Sequence, residues 1–273
     1  ALGLLGEEQK ILVEMLSNTK SAAPLKLAAL ESLSRKDLNA AVTHGAKMLA
    51  NDPAKVLAVF IAREGGTKVL ATALKNSKLP AAEAAKTLAA LRAAGSSDEA
   101  LTQVLSQAAG ITASGPVYSE KFVRALTHES LKGNAANGEQ IFKTIGCAAC
   151  HHVGTAIAGL AYIGPDLDTI GNTLSTERII EEVLWPGRAV KEGFSLLQVT
   201  SKDGTIHQGY EQRSRSEDVF LKPLGSSEIL RIPANQIREK TPAGTAMPPG
   251  LTAMLKPEQL SDLIRYLSEQ GRE

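Results

Sequence analysis

"IGCAACHHVG", residues 145–154, holds both cysteines of a 273-residue chain. Cys147 and Cys150 stand two residues apart, and His151 follows directly. Several chemistries compete for such a stretch. A structural zinc site wants four Cys or His ligands, and no second ligand pair has suitable local spacing. A thioredoxin-type dithiol follows a strand and opens a helix. Here the helical stretch "NGEQIFKTIG" comes before the cysteines, and a glycine-rich loop, "HHVGTAIAGL", comes after them. A disulfide over two intervening residues closes too small a loop to stabilise much. Cys-x-x-Cys-His is the spacing of covalent c-type haem attachment. Two thiols add across the two vinyl groups on one porphyrin edge, and the short loop between them holds the next imidazole under the iron. One covalent haem c per chain is therefore expected, attached at Cys147 and Cys150. His151 is expected as the proximal metal ligand through its neutral ring nitrogen.

The sixth ligand has to come from elsewhere, and the chain has four methionines. Met15 and Met48 sit in helical sequence where packing is the default. Met247, in "GTAMPPGL", is followed by Pro248 and Pro249, which forbid helix and force an extended loop able to lay a thioether against a flat macrocycle. Met254, in "LTAMLKP", has an apolar packing role as its default. Met247 is the expected second metal ligand. "GPDL", residues 164–167, offers backbone carbonyls, with Pro165 the named candidate, to accept the His151 ring N–H and fix its orientation. Alone, that turn is a weak signal. His152 cannot reach the same iron as His151, so a surface position is expected for it. His44, His128 and His207 are isolated residues with solvated or hydrogen-bonded roles expected.

Away from this stretch, residues 1–131 read as successive helices. "PLKLAALESLSRKD" places Leu25, Leu27, Ala28, Leu30 and Leu33 near a 3.6-residue period. Pro24 suits a helix start, and Asp37 and Asp52 suit N-caps, the latter followed by Pro53. Gly65-Gly66 reads as a helix stop. "LKLAALESL", "LAVFIAREGG" and "AAKTLAALRAAG" resemble one another at intervals in the range of helical-pair repeats. A HEAT- or armadillo-like stack, each pair burying its stripe on the next, and an irregular helical bundle both remain open. "ITASGPVYSE" (111–120) reads as a linker, followed by a helix in "SEKFVRALTHESL". After Phe194 the period changes. "FSLLQVTSKDGTIHQGYEQRS" reads as two strands across a Lys-Asp-Gly turn, and "EDVFLKPLGSSEILRIP" as two more. This gives a β insertion at about 194–238. "KPEQLSDLIRYLSEQG" closes the chain as a helix.

Composition narrows the function classes. Hydrophobic residues make up 43% of the chain, ample for buried cores, while 30 basic against 29 acidic residues leave a net charge of +1. That balance gives no general field for nucleic acid or an anionic membrane surface. No apolar run reaches the roughly 18 residues of a membrane span, and no basic-then-apolar leader opens the chain. No Ser-His-Asp set, carboxylate pair or phosphate loop stands out.

Taken in order, "NGEQIFKTIGCAACHHVG", "GPDL", "TAMPPGL" and "LSDLIRYL" resemble a class I cytochrome c domain. Phe142 and Tyr266 match the aromatic contact where that fold's first and last helices cross. The hairpin-rich insertion, absent from ordinary cytochromes c, together with "VLWPGRAVKEGF" and "AMPPGL", is similar to the haem-binding domain of planctomycete and verrucomicrobial proteins. The resemblance covers about 133–270. It implies a mainly α chain with a HEAT-like repeat domain over 1–131 and a cytochrome c domain over 132–273. It also implies a periplasmic or otherwise extracytoplasmic location, where thioethers are formed. Such domains often end longer exported proteins, following helical repeats and sometimes a sugar-dehydrogenase-like β-propeller. The absent propeller and leader fit a C-terminal fragment. The expected function is single-electron transfer, with a redox partner protein or a linked dehydrogenase domain. The alternatives are a haem enzyme or gas or redox sensor with a displaceable sixth ligand, drawing on His152, His207, Arg213 or Arg215, and a scaffold with structural haem.

Overall fold

The computed structural model describes residues 2–77, 79–96, 98–111, 115–154, 163–214 and 216–272, with backbone only for 2–5. The linker read at 111–120 and the glycine-rich loop at 151–160 fall partly outside these residues, and Arg215 wholly so. The described residues are mainly α-helical and carry one five-stranded antiparallel sheet. They divide into two compact units. One comprises Ala1–Thr112, Val199–His207 and Asn235–Lys240, and the other Ala113–Gln198, Gln208–Ala234 and Thr241–Glu273.

The first unit contains α1 (Leu2–Ser17), α2 (Ala23–Lys36), α3 (Leu38–Met48), α4 (Pro53–Ile61), α5 (Gly66–Lys75), α6 (Ala81–Ala93) and α7 (Glu99–Ala108). Side-chain caps start several of them, as the sequence suggests. Asp37 accepts from the Ala40 N–H and Asp52 from the Lys55 N–H, satisfying orphan amides of the first turn. One expected boundary moves: α4 stops at Ile61, and Gly65, with φ of 72°, caps the start of α5 instead of ending α4. Helices pack on their neighbours and on the next but one: α2 on α3 and α4, α3 on α5, α4 on α5 and α6, α5 and α6 on α7. Of the stripe read in α2, Leu30 and Leu33 vanish from solvent and Leu27 is half-buried, while Leu25, at 46%, and Ala28 are exposed. Leu30, Leu33, Leu57, Phe60, Leu70 and Leu91 are all 0% exposed in one continuous core.

The tip of a β-hairpin also belongs to this unit. The Glu64 N–H donates to Gly204 O (3.1 Å) and the Ile206 N–H to Ala62 O (3.0 Å). The buried Arg63 donates through Nη1 to Thr205 Oγ1 at 2.8 Å, and Thr205 Oγ1 in turn donates to Asp203 Oδ2 at 2.9 Å. Arg238 pairs with Glu64 at 2.7 Å.

The second unit holds α8 (Glu120–Ser130), α9 (Ala135–Thr144), α10 (Ile170–Thr173), α11 (Thr176–Leu184) and α12 (Pro257–Glu269). The sequence reading assigns α8 to the repeats; its Val123 and Leu126 pack instead in one cluster with Ile179, Ile180, Leu263 and Ile264 of α11 and α12. The most extensive helix pairing is α9 against α12. Close approach is what allows it, because a Cβ on Gly138 would lie 2.1 Å from Asp262 O. Phe142 and Tyr266 meet at this crossing with ring centroids 5.6 Å apart, tilted by 54°.

The strands are β1 (Ser195–Ser201), β2 (Ile206–Glu211), β3 (Val219–Lys222), β4 (Leu230–Ile232) and β5 (Ile237–Thr245), in sheet order β4-β3-β2-β1-β5. Tyr210 of β2 lies opposite Lys222 of β3, and Phe220 opposite Arg231 of β4. The fifth strand corrects the sequence reading, which ends the insertion at 238. β5 carries Pro242, which argues against a central strand, but β5 lies at the sheet edge, where a missing N–H costs no ladder bond.

Candidate functional site

α9 ends with Ile145 as its C-cap, and Gly146, with φ of 101°, turns the chain into a single 3₁₀ turn, Cys147–Ala149. The Cys150 and His151 N–H groups both donate to Cys147 O, at 3.1 and 2.9 Å. The short spacing is thus wound into one tight turn that presents both thiols and the imidazole. Both cysteines are free and half-buried. Burial pushes the Cys147 thiol up to about 11 and the Cys150 thiol up as well, so both are protonated at neutral pH. That state is the reverse of the lowered thiol pKa typical of a redox dithiol.

His151 Nδ1 lies 2.8 Å from Pro165 O. A carbonyl oxygen can only accept, so Nδ1 carries the proton, and in the neutral ring Nε2 holds the lone pair. Burial lowers the His151 pKa and the Pro165 hydrogen bond works against that fall; the net direction favours the neutral imidazole that binds metals. The ring lies flat against Gly164, where a Cβ would stand 2.4 Å from its Cε1, so this position admits no side chain. The Gly164 N–H donates to Cys150 O (2.8 Å) and the Leu167 N–H to His152 O (3.1 Å), tying the "GPDL" turn to the Cys147–His152 segment.

Cys147, Cys150, His151, Pro165 and Met247 all line one cavity of about 450 Å³ in the second unit. That lies within the range of roughly 300–1,000 Å³ usual for small-molecule and cofactor sites. The rest of the wall is mostly apolar, with Phe142, Ile170, Ile179, Val190, Leu251 and Leu263 among its side chains. Arg178, Glu182 and Lys191 supply charge at it, with Arg178 Nε 3.0 Å from Glu182 Oε1. The Met247 N–H is held by Thr245 Oγ1 at 3.1 Å. Met254 is 68% exposed and does not line the cavity. Met15 and Met48 pack against the core of the first unit.

His152 departs from the surface position expected of it. Its side chain is only 13% exposed, with Nε2 3.5 Å from Asp166 Oδ2 and 3.9 Å from Asp168 Oδ2. Asp168 Oδ1 accepts from the Gly154 N–H and Asp166 Oδ1 from the Asp168 N–H, so the group braces the loop beside His151. His152, His207 and Arg213 do not line the cavity among the described residues, and Arg213 is an exposed partner of Glu192.

The cavity also has walls that the motif reading does not single out. Pro186, Ala189, Lys191 and Phe194 follow α11, and Tyr210 comes from β2. Their only sequence signal is the apolar alternation of a strand and the turn residues of "WPGRAVKEGF". Neither separates a cavity wall from an ordinary core. No family model matches the chain, and a search of curated proteins finds no significant match.

Proposed function

We propose that the second unit is a monohaem c-type cytochrome domain that passes single electrons. One observation carries this reading. Two free thiols and an imidazole already committed through Nδ1 share the wall of one largely apolar cavity with a methionine. The residues fit the group: both thiols are free, the ring is neutral with Nε2 as its acceptor, and Gly164 leaves room for the ring. Cys147 and Cys150 would hold the haem through thioethers, and His151 and Met247 would ligate its iron. Haem bound there supplies a one-electron iron couple, and methionine ligation raises its potential relative to two histidines. The apolar wall excludes water and limits reorganisation, while the Pro165 carbonyl keeps His151 in the ligating tautomer. With His151 and Met247 both serving as ligands, the iron would have no position left for a substrate. This favours electron transfer over the enzyme and sensor alternatives, whose sequence candidates His152, His207 and Arg213 do not line the cavity among the described residues.

The crossing of α9 and α12 with the Phe142–Tyr266 contact supports a class I cytochrome c arrangement. The neighbour-and-next-neighbour packing of α1–α7 supports a HEAT-like array that docks or spaces a redox partner or a linked dehydrogenase domain. No described helix is long and apolar enough to cross a membrane. On this reading the thioethers would be formed, and the protein would work, outside the cytoplasm. The deciding measurement is a pyridine haemochrome spectrum of protein matured in a strain able to attach c-type haem. One covalent haem per chain is expected, and colourless protein with both thiols still open to alkylation would end the proposal.

A further inference from the structure

The turn that orients His151 is held from two sides. Pro165 has no N–H with which to anchor itself, so its carbonyl is only as well placed as the peptides around it. Two ties, Gly164 N–H to Cys150 O and Leu167 N–H to His152 O, come from the attachment segment and move with it. A further tie comes from the sheet: the Tyr210 hydroxyl donates to Ile163 O at 2.8 Å. Tyr210 is 8% exposed and stands edge-on to Phe194, with centroids 5.5 Å apart and planes at 72°. A phenylalanine would fill the same space and pack on Phe194 equally well. The hydroxyl therefore has a separate task, and its partner lies outside the sheet, two residues before Pro165.

We propose that Tyr210 is a positioning residue for the haem ligand His151, its hydroxyl holding the Ile163–Pro165 run so that the Pro165 carbonyl keeps a short hydrogen bond to Nδ1–H. The proposal rests on the haem reading above and gives the β insertion a task in it. A well-held carbonyl makes the imidazole a stronger donor and favours the oxidised iron. Losing the hydroxyl weakens that hydrogen bond and tips the couple toward the reduced form.

The test compares wild type, Tyr210→Phe and Leu196→Ala, all matured with covalent haem. Leu196 is 2% exposed in the same sheet-side cluster as Tyr210 but does not line the cavity, so its variant weakens that cluster and spares the hydroxyl. For Tyr210→Phe, the reduction equilibrium should move about three-fold toward the reduced form, a small share of the effects seen when a ligand's own hydrogen-bond partner is removed. Its His151 Nδ1–H proton resonance in the reduced, diamagnetic protein should move upfield. Leu196→Ala should melt earlier with both readouts unchanged. An unchanged potential and resonance in Tyr210→Phe, or equal shifts in both variants, would overturn the proposal. If only Tyr210→Phe fails to load haem, the proposal stands; if both variants fail, the sheet merely packs and the proposal falls. Wild type without covalent haem would sink the haem reading itself and this proposal with it, whereas loaded wild type with an unmoved Tyr210→Phe sinks this proposal alone.

Discussion

The two units spend their apolar side chains in opposite ways. In the first, leucines such as Leu30, Leu33 and Leu57 are wholly buried in one core, and the groove beside Val42, Thr43 and Ala46 has no His, Cys, Met, Asp or Glu on its wall among the described residues. In the second, much of the apolar complement is only partly buried. Cys147, Ile170, Leu174 and Val183 flank the core and face a cavity that also takes in His151 and Met247. A chain that leaves so much apolar surface around a hollow forgoes burial energy of roughly 25 cal/mol per Å² unless something fills it. The contrast separates a unit whose core closes on itself from one whose core borders a hollow that the proposed haem would fill.

Three substitutions and one control press on this contrast, from the largest expected effect to the smallest. Met247→Ala should abolish the methionine-to-iron band and open the reduced haem to carbon monoxide, while Met254→Ala changes neither. If the band instead follows Met254, the ligand assignment is wrong. Leu30→Ala should cost about 2–5 kcal/mol by denaturant titration, the usual range for a buried leucine, and leave haem spectrum and potential untouched. A change in potential there would mean that the units are not energetically separate. Thr205→Val should cost about 1–3 kcal/mol, because it leaves a buried Arg63 donor without its acceptor. Faster amide exchange should appear at Glu64 and Ile206, the backbone donors at that junction; exchange unchanged at both would remove the hairpin tip from the first unit's stability.

What the sequence makes legible is local. The tight spacing at Cys147, Cys150 and His151, the caps at Asp37 and Asp52, and the Lys-Asp-Gly turn are each written within a few residues, and the structure forms each turn or cap where those residues stand. The Pro165 carbonyl is a near-local case, fourteen residues from its histidine, and the "GPDL" turn is enough to suggest it. The signals fail where partner choice is remote. The amphipathic face of α8 fits either set of helices, and only its packing on α11 and α12 decides. The alternating charges and Pro242 of β5 hide a strand whose edge position makes both tolerable. Tyr210 looks like any strand aromatic until its hydroxyl is seen on Ile163.

The hairpin tip at Val199–His207 has a practical consequence. The chain passes from one unit to the other at 112/113, 198/199, 207/208, 234/235 and 240/241, so the cleavage point that linear sequence suggests does not exist. A clone ending near residue 131 would strip Arg63 of Thr205 and Glu64 of Arg238, and one starting there would carry an orphaned loop in place of a docked one. Either half purified alone is a damaged molecule, and its melting point or redox behaviour describes the cut as much as the protein.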